Sequence, residues 1–215
     1  MKNRPRVAFQ GERGAFSEEA AERLLGPEIE MAPQPTFEEL FRALADGLAD
    51  YAVAPVENSL VGSVQACIEL LNQSPFLIRD EVTIPIAQHL IGCKGTSIMK
   101  IETVESHPVA LAQCALFFAA HPRLKKIEAD DTAASVARIV RAGNPKRAAI
   151  AGRRAAERYG GMIIEENIQD HFENHTRFVL LSRPQEASTG LRRWLPGRAT
   201  SSRPPIELKL KKPIL

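Results

Sequence analysis

The chain has 215 residues, of which 44% are hydrophobic, 25% charged and 6% aromatic, a composition that excludes collagen, coiled coil and wholesale disorder. A net charge of +2 is too close to zero for a nucleic-acid binder that works through the charge of the whole chain. No run approaches the roughly 18 apolar residues of a membrane span, and the first residues lack the apolar core of a signal peptide, so the expectation is a cytoplasmic protein with neither nucleic acid nor membrane as partner.

Residues 6–10 read as a buried strand and 11–16 as a turn-rich loop, with Ser17 a candidate cap for a helix to residue 25. Residues 29–32 make a second strand, after which Thr36 and Glu39 have the spacing of a capping box opening an amphipathic helix over 37–45. A third strand at 51–56, a loop at 57–62 and a helix over 64–72 follow. Residues 76–92 are extended, interrupted by Pro85. A short strand at 102–105 precedes Ser106 and Pro108, which mark the start of one helix running to residue 120. Strands at 126–129, 148–151, 162–166 and 177–182 alternate with helices at 132–141 and 153–159.

This alternation predicts an α/β fold with mainly parallel strands. Two lobes fit better than one sheet: residues 1–80 plus 161–184 form the first and 81–160 the second, the chain returning near the Gly160–Gly161 pair. Residues 185–215 differ in kind, with seven basic residues against two acidic, four of the 15 prolines and the single Trp194. They read as a basic disordered tail in preference to a nucleic-acid-binding arm.

The three cysteines, Cys67, Cys93 and Cys114, are widely spaced with no CxxC, and each reads as a reduced packing residue. His89, His107, His121 and His171 show no metal spacing either, so neither metal nor cofactor is expected.

In open α/β sheets ligands bind beyond the carboxyl ends of strands. Four stretches fall there: GERGAFS at 11–17, VENSLVGS at 56–63, SHPVALAQC at 106–114 and DDT at 130–132. Small hydroxyl residues opening helices favour an anion, through free amides and the helix dipole. GERGAFS is not a dinucleotide fingerprint, and a tight turn explains its glycines as readily. Ser106 and Gln113 are seven apart, so on one helix both point the same way, separated by roughly 10 Å of rise; capping by Ser106 and a solvated Gln113 explain the pair without a ligand. Glu57, Asn58 and Ser59 follow an apolar strand, where a β-turn would also place them. In NHTRF at 174–178, alternation puts Thr176 and Phe178 on one face and Arg177 on the other.

GxxGxFS, VENSxxGSV, SHPxALAQC and NxTRF, in this order, resemble the prephenate dehydratase family over residues 6–184. The resemblance implies a two-lobed fold similar to periplasmic binding proteins, with the active site between the lobes. It implies conversion of prephenate to phenylpyruvate, water and CO2 in L-phenylalanine biosynthesis, without a cofactor, by a homo-oligomer (dimer or tetramer). Thr176 and Glu57 fall on catalytic positions; Asn58, Ser59, Ser106, Gln113, Arg177 and Phe178 fall on substrate-binding ones. Arg177, with its planar fork, is a natural partner for a substrate carboxylate. Family members usually continue into a phenylalanine-binding ACT domain, which residues 185–215 do not resemble; a truncated or frameshifted end is one explanation. A dehydratase acting on arogenate, the aminated relative of prephenate, and a non-catalytic carboxylate sensor are the alternatives.

Overall fold

A computed structural model describes residues 4–184; the disordered basic tail expected at 185–215 lies outside the described residues. In chain order the elements are β1 (Arg6–Gln10), α1 (Phe16–Leu25), β2 (Glu30–Gln34), α2 (Phe37–Ala45), β3 (Tyr51–Asn58), β4 (Gly62–Ser63), α3 (Gln65–Gln73) and β5 (Leu77–Pro85). They continue with β6 (His89–Gly92), β7 (Thr103–Ser106), α4 (Pro108–Ala112), α5 (Ala115–Ala120), β8 (Lys125–Glu128), α6 (Thr132–Ala142), β9 (Arg147–Ala151), α7 (Arg153–Tyr159), β10 (Met162–Glu165) and β11 (His175–Ser182). The described residues divide into two compact units, 4–10, 17–84 and 175–184 in the first and 11–16 and 85–174 in the second.

The first unit holds a six-stranded sheet in the order β2-β1-β3-β11-β5, with β4 paired to β3. β1 runs parallel to β2 and β3, as expected of strands joined through helical crossovers. Thr36 caps α2 by accepting the Glu39 N–H, as the S/T-x-x-E spacing predicts. That helix buries Leu40, Phe41, Ala43 and Leu44 against Ala8, Ala52, Val179 and Leu181 of the sheet.

The second unit holds a five-stranded sheet in the order β10-β6-β9-β7-β8. β7 is parallel to β8 and β9, whereas β6 is antiparallel to both of its neighbours, so the sheets are mixed and not mainly parallel. Asp131, one residue before the expected start, caps α6 through the Ala134 N–H, and Gly143 ends it in the left-handed region at φ 60°. One face of the sheet packs on Val136, Ile139 and Ala155 of α6 and α7, while a separate cluster gathers Ile101, Val104, Leu111, Phe117 and Phe118.

The return of the chain to the first unit falls at His175 and not at Gly160. Gly160 instead closes α7 at φ 71°, and β10 then pairs with β6 inside the second sheet. The GERGAFS loop belongs to the second unit as well. A Cβ on Gly14, whose φ is +89°, would stand 2.9 Å from the Ala155 Cα, and the loop's Glu12 N–H lies 3.4 Å from the Asp131 carboxylate. Gly14 therefore serves close backbone packing against α7.

Candidate functional site

In the first unit, β3 runs two residues beyond the expected strand end because β11 continues to pair with it. Thr176 lies opposite Asn58 and Arg177 opposite Glu57, and a bulge then shifts the register so that Phe178 lies opposite Pro55. Pro55 has no N–H to give the ladder, which suits the position beside an irregularity. Burial alternates as the sequence predicts: Thr176 and Phe178 are 9% and 2% exposed, and Arg177 between them is less buried than either.

Asn58 organises this strand end. Its Nδ2 donates to Thr176 Oγ1 at 3.0 Å and to the His175 carbonyl at 3.2 Å, while its Oδ1 accepts the N–H groups of Leu60 and Val61, both at 3.0 Å. The amide thus orders the loop that follows and fixes the threonine on the neighbouring strand. Ser59 closes the arrangement from both sides: its N–H donates to the His175 carbonyl at 2.9 Å, and its Oγ accepts the His175 N–H at 2.9 Å. A hydroxyl has one donor and two acceptor lone pairs. With Asn58 on one lone pair, the Thr176 O–H is directed to some other acceptor.

Arg177 is arranged differently from the expectation of a free carboxylate receptor. Its guanidinium lies 3.0 Å from Glu57 Oε2 across the strand pair and 3.3 Å from Glu81 Oε2 on β5. Arg177 and Glu57 are each about four-fifths buried. Arg177 thus bridges two carboxylates, one on each neighbouring strand segment. Phe178 is in the core and packs there.

In the second unit Ser106 is the last residue of β7 and not a helix cap. It is fully buried, and its hydroxyl donates to the Ile150 carbonyl of β9 at 2.6 Å. The cap is His107, whose Nδ1 accepts the Val109 N–H. The single helix expected to residue 120 is two short ones, broken at Gln113–Cys114, so the helical-face argument joining Ser106 to Gln113 does not hold. The break has an identifiable cause: the Asp170 carboxylate takes the Ala115 and Leu116 N–H groups at 2.9 Å each and restarts the helix, while the Asp170 N–H donates to the Gln113 carbonyl at 2.7 Å.

Gln113 remains half-buried with its side-chain Oε1 3.4 Å from Gln88 Nε2. Sequence reasoning passed over Gln88 and Asp170. The signal for Gln88 was present, a glutamine and histidine inside the apolar run 84–92. Buried His89 accepts the Asn167 N–H at Nδ1, and burial first, then Arg153, holds its imidazole below the ordinary value. Burial pushes the Cys67 and Cys114 thiols up to about 12, the behaviour of packing cysteines. Among the described residues no group of three His, Cys, Asp or Glu could hold a metal ion, and no helix is long and apolar enough to cross a membrane.

A sequence model of the family described as prephenate dehydratase matches residues 7–186. The bifunctional chorismate mutase/prephenate dehydratase of Enterobacter agglomerans is 33% identical over 181 residues, covering 83% of this chain and 47% of that protein. Arogenate dehydratase 1 of Petunia hybrida is 42% identical over 179 residues, covering 83% of this chain and 42% of that protein. The chain therefore spans less than half the length of these relatives. A crystal structure of prephenate dehydratase from Arthrobacter aurescens, in complex with L-Phe, is 30% identical with a TM-score of 0.76, covering 83% of this chain and 60% of that one.

Proposed function

The chain belongs to the prephenate dehydratase family, and from that premise we propose that it converts prephenate to phenylpyruvate, water and CO2 in the making of phenylalanine. The observation that carries the reading is the Asn58–Thr176 hydrogen bond, 3.0 Å, in which the threonine oxygen accepts and its O–H is left to donate elsewhere. In the reaction the ring carboxylate leaves as CO2, its bonding pair enters the ring, and the ring C–O bond breaks as the hydroxyl takes up a proton to become water. Aromatisation supplies much of the driving force, so the enzyme's task is to orient the dianion and to give the departing oxygen a hydrogen bond or proton.

Thr176 takes that part. Donation from Asn58 into its oxygen polarises the hydroxyl and strengthens the bond it gives in turn, which offsets the weakness of threonine as an acid. Asn58 and Ser59 hold the strand end in place. The Glu57–Arg177–Glu81 cluster holds β11 in register, so Glu57 and Arg177 are positioning residues. Ser106 fixes the end of β7 and Phe178 the core. Gln113 is kept as a substrate-contacting amide on the second unit. The working form is read as a cytoplasmic homo-oligomer, on the family resemblance.

Arogenate is the second reading, since a plant arogenate dehydratase is 42% identical and a bacterial prephenate enzyme 33%. Purified protein incubated with each compound decides between them: phenylpyruvate from prephenate, phenylalanine from arogenate. Thr176→Ala is expected to cost about 100- to 10,000-fold in turnover, the range of general-acid contributions. A protein that binds prephenate and turns over neither compound would be a carboxylate sensor.

A further inference from the structure

Gln88 is 3% exposed and fixed at both ends of its backbone: its N–H donates to Gln169 Oε1 at 2.9 Å and its carbonyl accepts the Ile168 N–H at 2.8 Å. Its side chain meets the half-buried Gln113, Nε2 facing Oε1 at 3.4 Å. Two amides in contact must meet donor to acceptor, and here Gln88 presents the donor and Gln113 the acceptor. With Gln113 Oε1 turned to Gln88, the end that Gln113 keeps for a ligand is its NH2, which has no acceptor among the described residues. The Gln88 Oε1 is buried and has no donor among the described residues. A buried amide oxygen without a donor works against stability, so packing gives no reason for a glutamine at this position.

We propose that Gln88 is a positioning residue that sets substrate preference through Gln113, turning its NH2 toward the side-chain carbon at which prephenate and arogenate differ. This rests on the reading of the chain as a dehydratase with Gln113 against substrate. The two compounds share both carboxylates and the ring hydroxyl; one carries a keto oxygen where the other carries an ammonium. A neutral NH2 donates well to a neutral keto oxygen and meets an ammonium donor to donor, so the keto acid is selected. The penalty for the mismatched substrate is the unpaired polar group.

The test compares kcat/KM for prephenate and arogenate in wild type, Gln88→Met and Gln88→Glu, with thermal melting of each. Wild type is expected to prefer prephenate. Gln88→Met removes the amide that holds Gln113 and the orphaned oxygen with it, so the preference falls about 10-fold or more, the worth of one hydrogen bond to a charged or strongly polar group, while Tm holds or rises. As pH rises and its buried carboxyl ionises, Gln88→Glu draws the Gln113 NH2 inward and offers its carbonyl to the ligand, moving the ratio further the same way with KM for prephenate rising and kcat little changed. A wild type that prefers arogenate, or a ratio within about twofold of wild type in Gln88→Met, overturns the inference while leaving the dehydratase reading intact; should Gln88→Glu fail to fold, Gln88→Met decides alone. Wild type inactive on both compounds overturns the functional reading and this inference together.

Discussion

Asn58→Asp separates a hydrogen-bond donor from a mere space-filler at the strand end. The carboxylate keeps the acceptor used by the Leu60 and Val61 N–H groups at 3.0 Å and replaces the NH2 that reaches Thr176 Oγ1 at 3.0 Å and the His175 carbonyl at 3.2 Å. A charged oxygen then faces the carbonyl, and the threonine must turn its own proton inward to satisfy it. Two hydrogen bonds at about 0.5–1.5 kcal/mol each give a stability loss of about 1–3 kcal/mol, a fall in Tm of roughly 2–4 °C per kcal/mol for a chain of this size. The kinetic effect is larger, because the O–H that was aimed at substrate is consumed: kcat is expected to drop by about 100- to 10,000-fold. Single-turnover formation of phenylpyruvate at saturating prephenate measures it, with Thr176→Val and the double variant completing a cycle. Once the hydroxyl is absent, Asn58→Asp should cost little more in kcat. A folded Asn58→Asp enzyme within about threefold of wild-type kcat, or two losses that simply multiply, would refute the role given to this pair.

Arg177→Lys is expected to leave KM for prephenate nearly unchanged while costing about 1–2 kcal/mol in denaturant unfolding, since the lysine cannot span both Glu57 and Glu81; a large rise in KM with normal stability would restore it as a substrate ligand. His89 titrates below its ordinary value of 6.5 in the folded chain, chiefly through burial. The unfolded chain binds that proton more readily, so its contribution is complete above about pH 6.5 and declines as pH falls toward the folded-state value. Thermal melts from about pH 7.5 to 5.5 should show this decline, and His89→Gln, which keeps an acceptor for Asn167, should flatten it. Gly14→Ala meets both a left-handed backbone at φ +89° and the Ala155 Cα at 2.9 Å, and is expected to destabilise by about 2 kcal/mol or more in chemical unfolding.

Much of this fold was legible because its helices carry local signals. Thr36 with Glu39 located α2 to the residue, and the apolar spacing of residues 132–141 located α6. What the sequence concealed was decided by partners far along the chain. β3 reaches Asn58 only because β11, more than 100 residues later, pairs with it, so a strand end read as a turn. The 106–120 segment has good helix formers throughout, and nothing local announces that Asp170 interrupts it. At the site, alternation placed Thr176 and Phe178 on one face correctly, whereas the guanidinium of Arg177 looked free because the carboxylate of Glu81, distant in sequence, cannot be paired with it by inspection. The family motifs singled out Asn58 and Thr176 together; that they touch is a property of register.

The bulge opposite Phe178 gives β3 a phase. Between Pro55 and Glu57 this strand advances two residues while β11 advances one, so the last rungs are half a pleat out of step with the rungs below. Lengthening β3 beneath that point by an even number of residues would preserve which way Asn58 looks; an odd number would turn it about and send Thr176's companion to the wrong side. Parity, more than length, is what this strand must inherit intact.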